Sequence, residues 1–350
     1  MEKKRKVILA GPFPPPTHGA SKVTQLVAKI LTDTGIEPFL FDISSTGTGF
    51  IYHFNRILRF VKLWLALPKF GRNTIVYISL SGGLGLFYDL VSCIISNICR
   101  HKLIIHHHSY AYIDRDNAIV RIISHMIDEH IFLSHSMSVA FKKRYRLKSG
   151  VVVSNLAFFP VETNFTNRDR PLSTIGYLSN ISFEKGIARF LTIVEMLRAN
   201  GSQVAARIAG PVTDPEVAAY IRDAQKRNHG LEYIGPVYGQ AKADFFASID
   251  YFVFPSLYIN EAQPMVIYEA QSAGLPVATT NRGSLADMLG ADDTLLDPNA
   301  EFLNPLVERL LKLEADPDLF SKVRARCFER QSEMLRTSRA DLDLFIGLFI

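Results

Sequence analysis

Two carboxylates eight positions apart, Glu261 and Glu269, are the side chains whose spacing most directly suggests chemistry in this sequence. Pro264 lies between them at the expected first position of a helix, where its fixed φ is favourable and its missing N–H is not needed. The amides of Met265 and Val266 would then be free donors at the positive end of that helix. The segment therefore predicts a site for a polar ligand, although carboxylates near a helix start also occur for stability alone.

The residues around this pair predict a strand, a loop, a helix and a second strand. Tyr251–Phe254 is an apolar run typical of a buried strand, and the helix is expected to end at Ala273-Gly274. The spacing E-x7-E, followed by EAxxxGxPV from Glu269 onward, resembles the signature of the family-4 (group 1) retaining glycosyltransferases, which have the GT-B fold. The resemblance implies that Glu261 contacts the donor sugar and that Glu269 holds the ribose hydroxyls of a nucleotide-sugar.

A second segment with the same resemblance lies around Lys185. A strand expected at 174–179 is followed by the letters FEKG, and together they are similar to the G-R-L-x(n)-K-G element of that family. The resemblance implies that Lys185 neutralises the donor diphosphate, and a positive point charge suits a leaving phosphate. Tyr177 stands where the family has an arginine, so one cation of the expected clamp is missing from this chain.

Four further donor-binding residues follow from the resemblance. Ser179 or Asn180 is expected to replace part of the hydrogen bonding of the missing arginine, without its charge. Val237 lies in the loop that the family places near the nucleotide base. Gly19 ends a proline-rich loop after the first predicted strand, where a glycine lets the backbone approach the diphosphate or the acceptor. The G-x-G-x-x-G of dinucleotide binders is absent there, which argues against a nicotinamide enzyme.

Three consecutive histidines end a predicted strand at residues 101–108. His106 and His108 would point to the same face of the sheet, but no nearby cysteine or acid completes a zinc site, so no metal is expected. His107 would point to the opposite face, as a core residue. The family often has a histidine after this strand that faces the donor sugar, and the resemblance assigns that role to His108.

Composition and charge limit the class of protein. Apolar residues make up 48% and charged residues 21% of the sequence, as in globular proteins. Three scattered cysteines form neither a metal pattern nor a disulfide framework, which fits a reducing compartment. The longest apolar run, Leu84–Cys99, contains Asp89 and is too short to span a bilayer. No signal-peptide pattern is present, so the expected location is cytoplasmic, including the inner face of the membrane as a peripheral protein.

The charge is unevenly distributed along the chain. Residues 1–172 contain 22 lysines and arginines against 11 acids, a net charge of +11, whereas the remainder has a net charge of −6. A basic first half indicates an anionic partner such as a membrane surface or a lipid-linked phosphate. No motif supports nucleic acid as that partner.

One apolar stripe admits two interpretations. Ile51, Phe54, Leu58, Val61 and Leu65 have helical spacing and alternate with basic residues. The favoured interpretation is a helix that packs this stripe onto its own sheet. The alternative is a helix that docks the stripe on anionic lipid.

Strands and helices alternate through both halves of the chain. This pattern predicts an α/β protein with two doubly wound, Rossmann-like domains facing a cleft. The expected boundaries are 1–160 for an acceptor-side domain, 161–172 for a linker and 173–330 for a nucleotide-sugar domain. Residues 331–350 are expected to form a C-terminal helix that crosses back to the first domain.

The sequence therefore predicts a metal-independent retaining glycosyltransferase. It would move a hexose-type sugar from a UDP- or GDP-linked donor to a hydroxyl acceptor, saccharide or lipid-linked, in surface polysaccharide or glycolipid synthesis. No other cofactor is expected. Two alternatives stay open: a UDP-sugar epimerase with the same fold, and a non-catalytic subunit that binds a nucleotide-sugar.

Overall fold

The computed structural model describes residues 5–15, 19–45, 49–159, 170–298 and 303–350. The chain divides into two compact units. The first comprises Met1–Pro160 together with Thr337–Ile350, and the second comprises Val161–Arg336. Each unit is built on its own parallel sheet of six strands, and the doubly wound α/β fold expected from the sequence is confirmed.

The sheet of the first unit is built from short apolar strands. Its strand order is β2-β1-β3-β4-β5-β6. The chain therefore adds β2 on one side of β1 and all later strands on the other side. Strands β1, β3, β4 and β5 are almost fully buried, because helices cover both faces of a doubly wound parallel sheet. The strands are β1 (Lys6–Gly11), β2 (Phe39–Asp42), β3 (Thr74–Ser79), β4 (Lys102–His106), β5 (Glu129–Phe132) and β6 (Val151–Val152).

Six helices connect these strands, and two of them have clear start signals. Asn117 caps one helix by accepting from the amides of Ile119 and Val120, and Ser134 caps another by accepting from the amide of Met137. The helices are α1 (Gly19–Asp33), α2 (Gly49–Ala66), α3 (Gly85–Ile98), α4 (Ala111–Asp114), α5 (Ala118–Ser124) and α6 (His135–Tyr145).

The favoured interpretation of the apolar stripe on α2 is wrong. Ile51, Phe54 and Leu58 are exposed, and Phe60 and Leu63 on the opposite side of the helix are buried instead. The sequence offered apolar residues on both sides of α2, so periodicity alone could not decide which side faces the sheet. The aromatic ring of Phe60 packs against α3, and this contact fixes the orientation.

The second unit has the strand order β12-β11-β10-β7-β8-β9. The first strand of the unit, β7, therefore lies beside its fourth strand, β10. Strands β8 and β9 are added on one side of β7, and β10 to β12 on the other side. The last strand, β12, was not predicted, since three residues give too short a pattern. The strands are β7 (Thr174–Leu178), β8 (Ala205–Ala209), β9 (Leu231–Gly235), β10 (Tyr251–Phe254), β11 (Val277–Thr280) and β12 (Thr294–Leu296).

Helices of the second unit follow the predicted alternation, but the last helix is longer than expected. It runs without a break from Pro317 through residue 330, the predicted domain boundary, to Gly347. The helices are α7 (Ile187–Ala199), α8 (Pro215–Arg227), α9 (Gln240–Ser248), α10 (Met265–Ser272), α11 (Asn304–Ala315) and α12 (Pro317–Gly347).

The end of α12 belongs to the core of the first unit. Phe345 is fully buried, and its ring contacts those of Tyr77 and Phe158 at centroid distances of 6.3 and 4.8 Å. The hydroxyl of Ser338 donates to the carbonyl of Leu156. Residues 337–350 are therefore an integral part of the first unit.

Candidate active site

The carboxyl ends of β7 and β10 bring two of the predicted residues together. Ligands of doubly wound sheets bind where adjacent strands leave in opposite directions, because the loops diverge there and leave a crevice. Lys185 lies in the loop after β7, and Glu261 lies in the loop after β10. Residues 76 positions apart in the chain thus meet at the switch point of the second unit.

Lys185 and Glu261 form a direct ion pair. The Lys185 ammonium donates to Glu261 Oε2 at 2.7 Å, and the Ser256 hydroxyl donates to the same oxygen at 2.9 Å. Glu261 is buried, and the ammonium also lies 4.3 Å from the ring centroid of Tyr258. A charge pair that is shielded in this way is held in one geometry, which suits recognition of a ligand with both hydroxyls and phosphates.

The two loops that carry this pair are also joined through their backbones. The amide of Leu257 donates to the carbonyl of Glu184 at 2.8 Å. Gly186 has a φ of +87°, and a Cβ at this position would lie 2.1 Å from the carbonyl oxygen of Pro255. Only glycine permits both this conformation and this approach, so the glycine of the KG motif holds the lysine loop against the glutamate loop.

Tyr177, which stands in place of the family arginine, is fully buried. Burial raises the pKa of its phenol, so the hydroxyl stays protonated. It lies 2.7 Å from the hydroxyl of Ser179 and donates to the carbonyl of Lys185 at 3.0 Å. Tyr177 therefore supports the backbone of the lysine loop but brings no charge. Ser179 is engaged in this internal bond, whereas the neighbouring Asn180 is exposed.

Helix α10 begins one residue later than predicted. Pro264 is its N-cap residue, with a ψ of 127°, and Met265 is the first helical residue. The amides of Met265 and Val266 lie in the first turn, where an α-helix provides no acceptor of its own. Glu269 lies one turn further along, and its Oε2 forms an ion pair with the ammonium of Lys242 on α9.

The loop after β11 adds a residue that the sequence analysis did not select. Arg282 lies next to Gly283, where a Cβ would come within 2.1 Å of the carbonyl oxygen of Glu261. The amide of Ser284 donates to the carbonyl of Ala262. The Nε of Arg282 is buried without a hydrogen-bond partner, and no ion pair of this guanidinium occurs among the described residues. A guanidinium with an unpartnered Nε thus lies on the loop that contacts the Glu261 backbone.

Val237 follows the edge strand β9, two strands away from β7. It is buried, and the loop continues through Gly239 into α9, which carries Lys242. Lys242, five residues further along, forms the ion pair with Glu269. The role of Val237 near a nucleotide base stays a prediction.

Two of the predicted residues lie in the first unit. Gly19 is the first residue of α1, and a Cβ there would meet nothing within 4 Å, so crowding by the protein does not require glycine. His18 lies outside the described residues. His108 follows β4, with its ring centroid 4.0 Å from that of His106. The proposed contact of His108 with a donor sugar stays a prediction.

The other histidines of this strand belong to a buried network. His106 Nδ1 lies 2.7 Å from the hydroxyl of Tyr77. His107 is hydrogen-bonded to Tyr112 through Nδ1 and to His130 through Nε2. Burial holds the pKa of His106 and of His107 well below the usual value, so both rings are neutral at pH 7. Among the described residues, no group of three or more His, Cys, Asp or Glu side chains could hold a metal ion.

Comparison with known proteins identifies the second unit. Residues 162–331 match the family described as Glycosyl transferases group 1. The chain carries a group 1 glycosyltransferase domain. This domain makes the protein an enzyme of the glycosyltransferase class and agrees with the family resemblance of the E-x7-E and KG motifs. No curated protein sequence matches the chain significantly.

Solved structures share the fold across almost the whole length of this glycosyltransferase. HepE from Anabaena, solved in complex with UDP, has a TM-score of 0.71 at 15% identity, over 98% of this chain and 99% of that chain. A sucrose-phosphate synthase from Thermosynechococcus elongatus has a TM-score of 0.71 at 14% identity, over 99% of both chains. A glycosyltransferase from Rickettsia africae has a TM-score of 0.69 at 14% identity, over 98% of both chains. The predicted GT-B fold is confirmed.

Several contacts at this site were beyond sequence reasoning. Ser256, Tyr258 and Lys242 have no distinctive spacing to the glutamates, and only the folded loops bring them into contact. Arg282 follows a predicted strand that leads away from the E-x7-E segment. The available signal was its position at the carboxyl end of the strand adjacent to β10, where ligand-binding residues collect.

Proposed function

We propose that the enzyme transfers a hexose-type sugar from a UDP-linked donor to a hydroxyl acceptor, with retention of anomeric configuration and without a metal ion. The observation that carries the proposal is the Lys185–Glu261 pair at the switch point of a group 1 glycosyltransferase domain. A UDP-linked donor is preferred to a GDP-linked one, because the similarly folded HepE was solved with UDP and with UDP-glucose.

The two partners of the pair suit the two groups on either side of the donor bond that breaks. When the sugar–phosphate bond breaks, negative charge develops on the departing diphosphate, and the Lys185 ammonium stabilises it in place of a metal ion. Glu261 accepts hydrogen bonds from sugar hydroxyls. The donor must first separate the pair, and each partner then exchanges one charge-assisted hydrogen bond for another.

A single lysine leaves much of the diphosphate charge unbalanced. We propose that Arg282 supplies the second cation, from the loop after β11 instead of from strand β7. Its guanidinium carries a buried, unpartnered Nε, and the next residue, Gly283, lies against the backbone of Glu261. A planar guanidinium binds phosphate through two parallel hydrogen bonds, which a lysine cannot do. This arrangement would compensate for Tyr177.

The nucleotide end of the donor is proposed to lie at α10. Its first-turn amides, those of Met265 and Val266, favour an anionic group because of the helix dipole. Glu269 would hold the ribose hydroxyls after exchanging its bond to Lys242. Ser179, Asn180 and Val237 are proposed as neighbouring donor contacts, as the family resemblance implies.

The acceptor is proposed to be a saccharide or a lipid-linked saccharide of a surface polysaccharide or glycolipid. Gly19 is proposed to serve the diphosphate or the acceptor, and His108 to orient the sugar, by resemblance. The net charge of +11 in residues 1–172 supports an anionic acceptor or membrane surface at the first unit. No helix of the described residues could cross a membrane.

Nucleotide-dependent thermal stabilisation tests the donor. A ligand at 100 times its Kd stabilises the native state by about 2.7 kcal/mol, which is a shift of several degrees in Tm. We expect UDP and UDP-sugars to produce this shift and GDP, ADP and CMP not to do so. Glu269→Ala should abolish the shift, while Glu308→Ala, on an exposed position of α11, should keep it. A shift by nicotinamide dinucleotides alone would contradict the proposal.

Turnover separates the enzyme from a subunit that only binds. Glu261→Ala should retain UDP binding, since its partner is the sugar, and should lower transfer from UDP-sugar by about 100-fold or more. NMR of the product gives the anomeric configuration and distinguishes transfer from epimerisation. Binding without turnover in both wild type and Glu261→Ala would favour the non-catalytic alternative.

A further inference from the structure

Helix α3 has its polar and apolar sides reversed. The side that faces the protein carries mainly small or polar residues. Gly85, Asp89, Ser92 and Ser96 are buried there, together with Leu86 and Cys93. The opposite side is an apolar stripe, defined as Leu84, Phe87, Val91, Ile94 and Ile98, and all five side chains are exposed. Leu84 is 63% exposed, Phe87 55% and Ile98 76%. A helix of a soluble domain normally has the opposite arrangement.

Hydrogen bonds fix this orientation of α3. The Asp89 carboxylate accepts from the amide of Ser81 at 2.8 Å, and the indole of Trp64 donates to the hydroxyl of Ser92 at 2.9 Å. Rotating the helix to bury its apolar stripe would break both bonds. The outward stripe is therefore a stable property of the fold.

The stripe continues onto the neighbouring helix. Helix α2 packs beside α3 through Phe60 and Trp64, whose rings contact that of Tyr88. Its own exposed apolar residues, Ile51, Phe54, Ile57, Leu58 and Leu65, lie on its outer side. The α2–α3 face, defined as these five residues and the stripe on α3, is larger than the scattered apolar contacts of an ordinary surface and marks an interaction site.

The charge around the α2–α3 face is mainly positive. Residues 43–113 contain seven lysines and arginines and a single acid, Asp89, which is buried. One of these cations, Arg59 on α2, is paired with Asp42. Lys62 and Arg100 are exposed on this part of the chain. An apolar surface bordered mainly by positive charge is complementary to a bilayer of anionic lipids, in which acyl chains receive the apolar side chains and headgroups receive the cations.

Self-association through the same face is disfavoured by that charge. In a two-fold symmetric dimer the patch would contact its own copy, so the positive border of one chain would meet that of the other. A bilayer offers the opposite charge instead.

We propose that the α2–α3 face is the surface through which this enzyme docks on an anionic lipid bilayer, with the stripe on α3 inserted among the lipids. The purpose of docking rests on the proposed lipid-side acceptor, but the docking itself is measured without donor or turnover.

Vesicle sedimentation of the full chain tests the inference. Wild type should sediment with vesicles of phosphatidylglycerol and phosphatidylcholine, and about tenfold less well with phosphatidylcholine alone. Phe87→Gln combined with Ile94→Gln should weaken binding about tenfold, since glutamine keeps helix propensity but removes apolar contact. Ile234→Gln combined with Leu344→Gln, two similarly exposed positions, is the matched control and should bind as wild type.

A charge variant separates the electrostatic contribution to vesicle binding from the apolar contribution. Lys62→Glu with Arg100→Glu should remove the preference for phosphatidylglycerol, and its unchanged Tm would show that the fold is intact. The inference is overturned if wild type ignores anionic vesicles, or if the Phe87/Ile94 variant binds like wild type. It is equally overturned if wild type is a dimer that this variant converts to a monomer, because the face would then be a contact between copies. UDP-dependent stabilisation should survive in every variant, so loss of docking and failure of the proposed donor site remain distinguishable.

Discussion

At the scale of single residues, both glutamates of the site are already bound to a lysine. Glu261 pairs with Lys185 and Glu269 pairs with Lys242. A buried carboxylate without such a partner would be costly, because its charge would lose the stabilisation of water. The pairs therefore hold both carboxylates in position, where hydroxyl groups of a ligand can replace the lysines as partners.

Arg282 is the proposed phosphate-binding residue that was recognised only from the structure. Arg282→Met should weaken UDP binding by about 10- to 100-fold, since a hydrogen bond to a charged group contributes about 1.5–3 kcal/mol. Binding of uridine, which lacks phosphates, should not change. Isothermal calorimetry measures both, with Arg222→Met on the exposed side of α8 as the control. Equal loss of uridine and UDP affinity would show that Arg282 acts on the fold rather than on phosphate.

A buried histidine should make the stability of the protein sensitive to acid. Burial lowers the pKa of His130 to about 4, whereas an unfolded histidine titrates near 6.5. As pH falls from 7 to 5, the unfolded state binds a proton that the native state does not bind, so the free energy of unfolding should fall by about 2 kcal/mol from this residue.

The difference between two variants isolates that contribution. His130→Gln should show a shallower decline in the free energy of unfolding between pH 7 and 5 than wild type, measured by urea unfolding. Exposed His229→Gln should keep the wild-type slope. Burial raises the pKa of Asp89 to about 7, which acts with the opposite sign, but this carboxyl is present in every variant and cancels. Parallel profiles for His130→Gln and wild type would contradict the prediction.

At the scale of elements, one glycine joins the two loops of the site. Gly186→Ala should destabilise the enzyme by about 3 kcal/mol or more, because a positive φ and a contact with the Pro255 carbonyl both oppose a Cβ. Gly201→Ala is the matched control: its φ is +79°, but a Cβ would meet nothing within 4 Å. It should cost only about 1 kcal/mol. Chemical denaturation measures both values, and equal losses would rule out the close approach.

Element positions were largely predictable from the sequence, whereas the direction that a helix faces was not. The strands after which Lys185, His108 and Glu261 lie were found from short apolar runs, and the predicted ends differ by one or two residues. The stripe on α2 was assigned to the wrong side. Periodicity shows which residues share one side of a helix, and the side that faces the core is then chosen on the assumption that it is the apolar one. That assumption fails where an apolar side faces outward.

The site residues that belong to a sequence motif were predictable, and the other site residues were not. Lys185 and Glu261 were expected to serve one ligand, and the structure places them in contact. Their partners Ser256, Tyr258 and Lys242 depend on how loops fold over one another, and no local pattern encodes that. Arg282 was missed for the same reason.

At the scale of the whole molecule, the last helix is shared by both units. Phe345→Ala should lower the free energy of unfolding by about 3–5 kcal/mol, because it removes a fully buried ring from the core of the first unit. Leu344→Ala, at the neighbouring exposed position, should change it by less than about 1 kcal/mol. UDP should stabilise the Phe345→Ala variant as it does wild type, since Glu269, Lys185 and Arg282, proposed to bind ribose and diphosphate, lie in the second unit. Equal effects of the two substitutions on the unfolding midpoint would contradict the packing.

The lysine–glutamate pairs also determine how nucleotide binding responds to ionic strength. Dissolved salt weakens the attraction of Lys185 and Arg282 for a diphosphate, which lowers affinity. It equally loosens the internal pairs that a donor must open, which raises affinity. The two influences oppose each other, so nucleotide affinity should vary less with ionic strength than the charge of the ligand suggests.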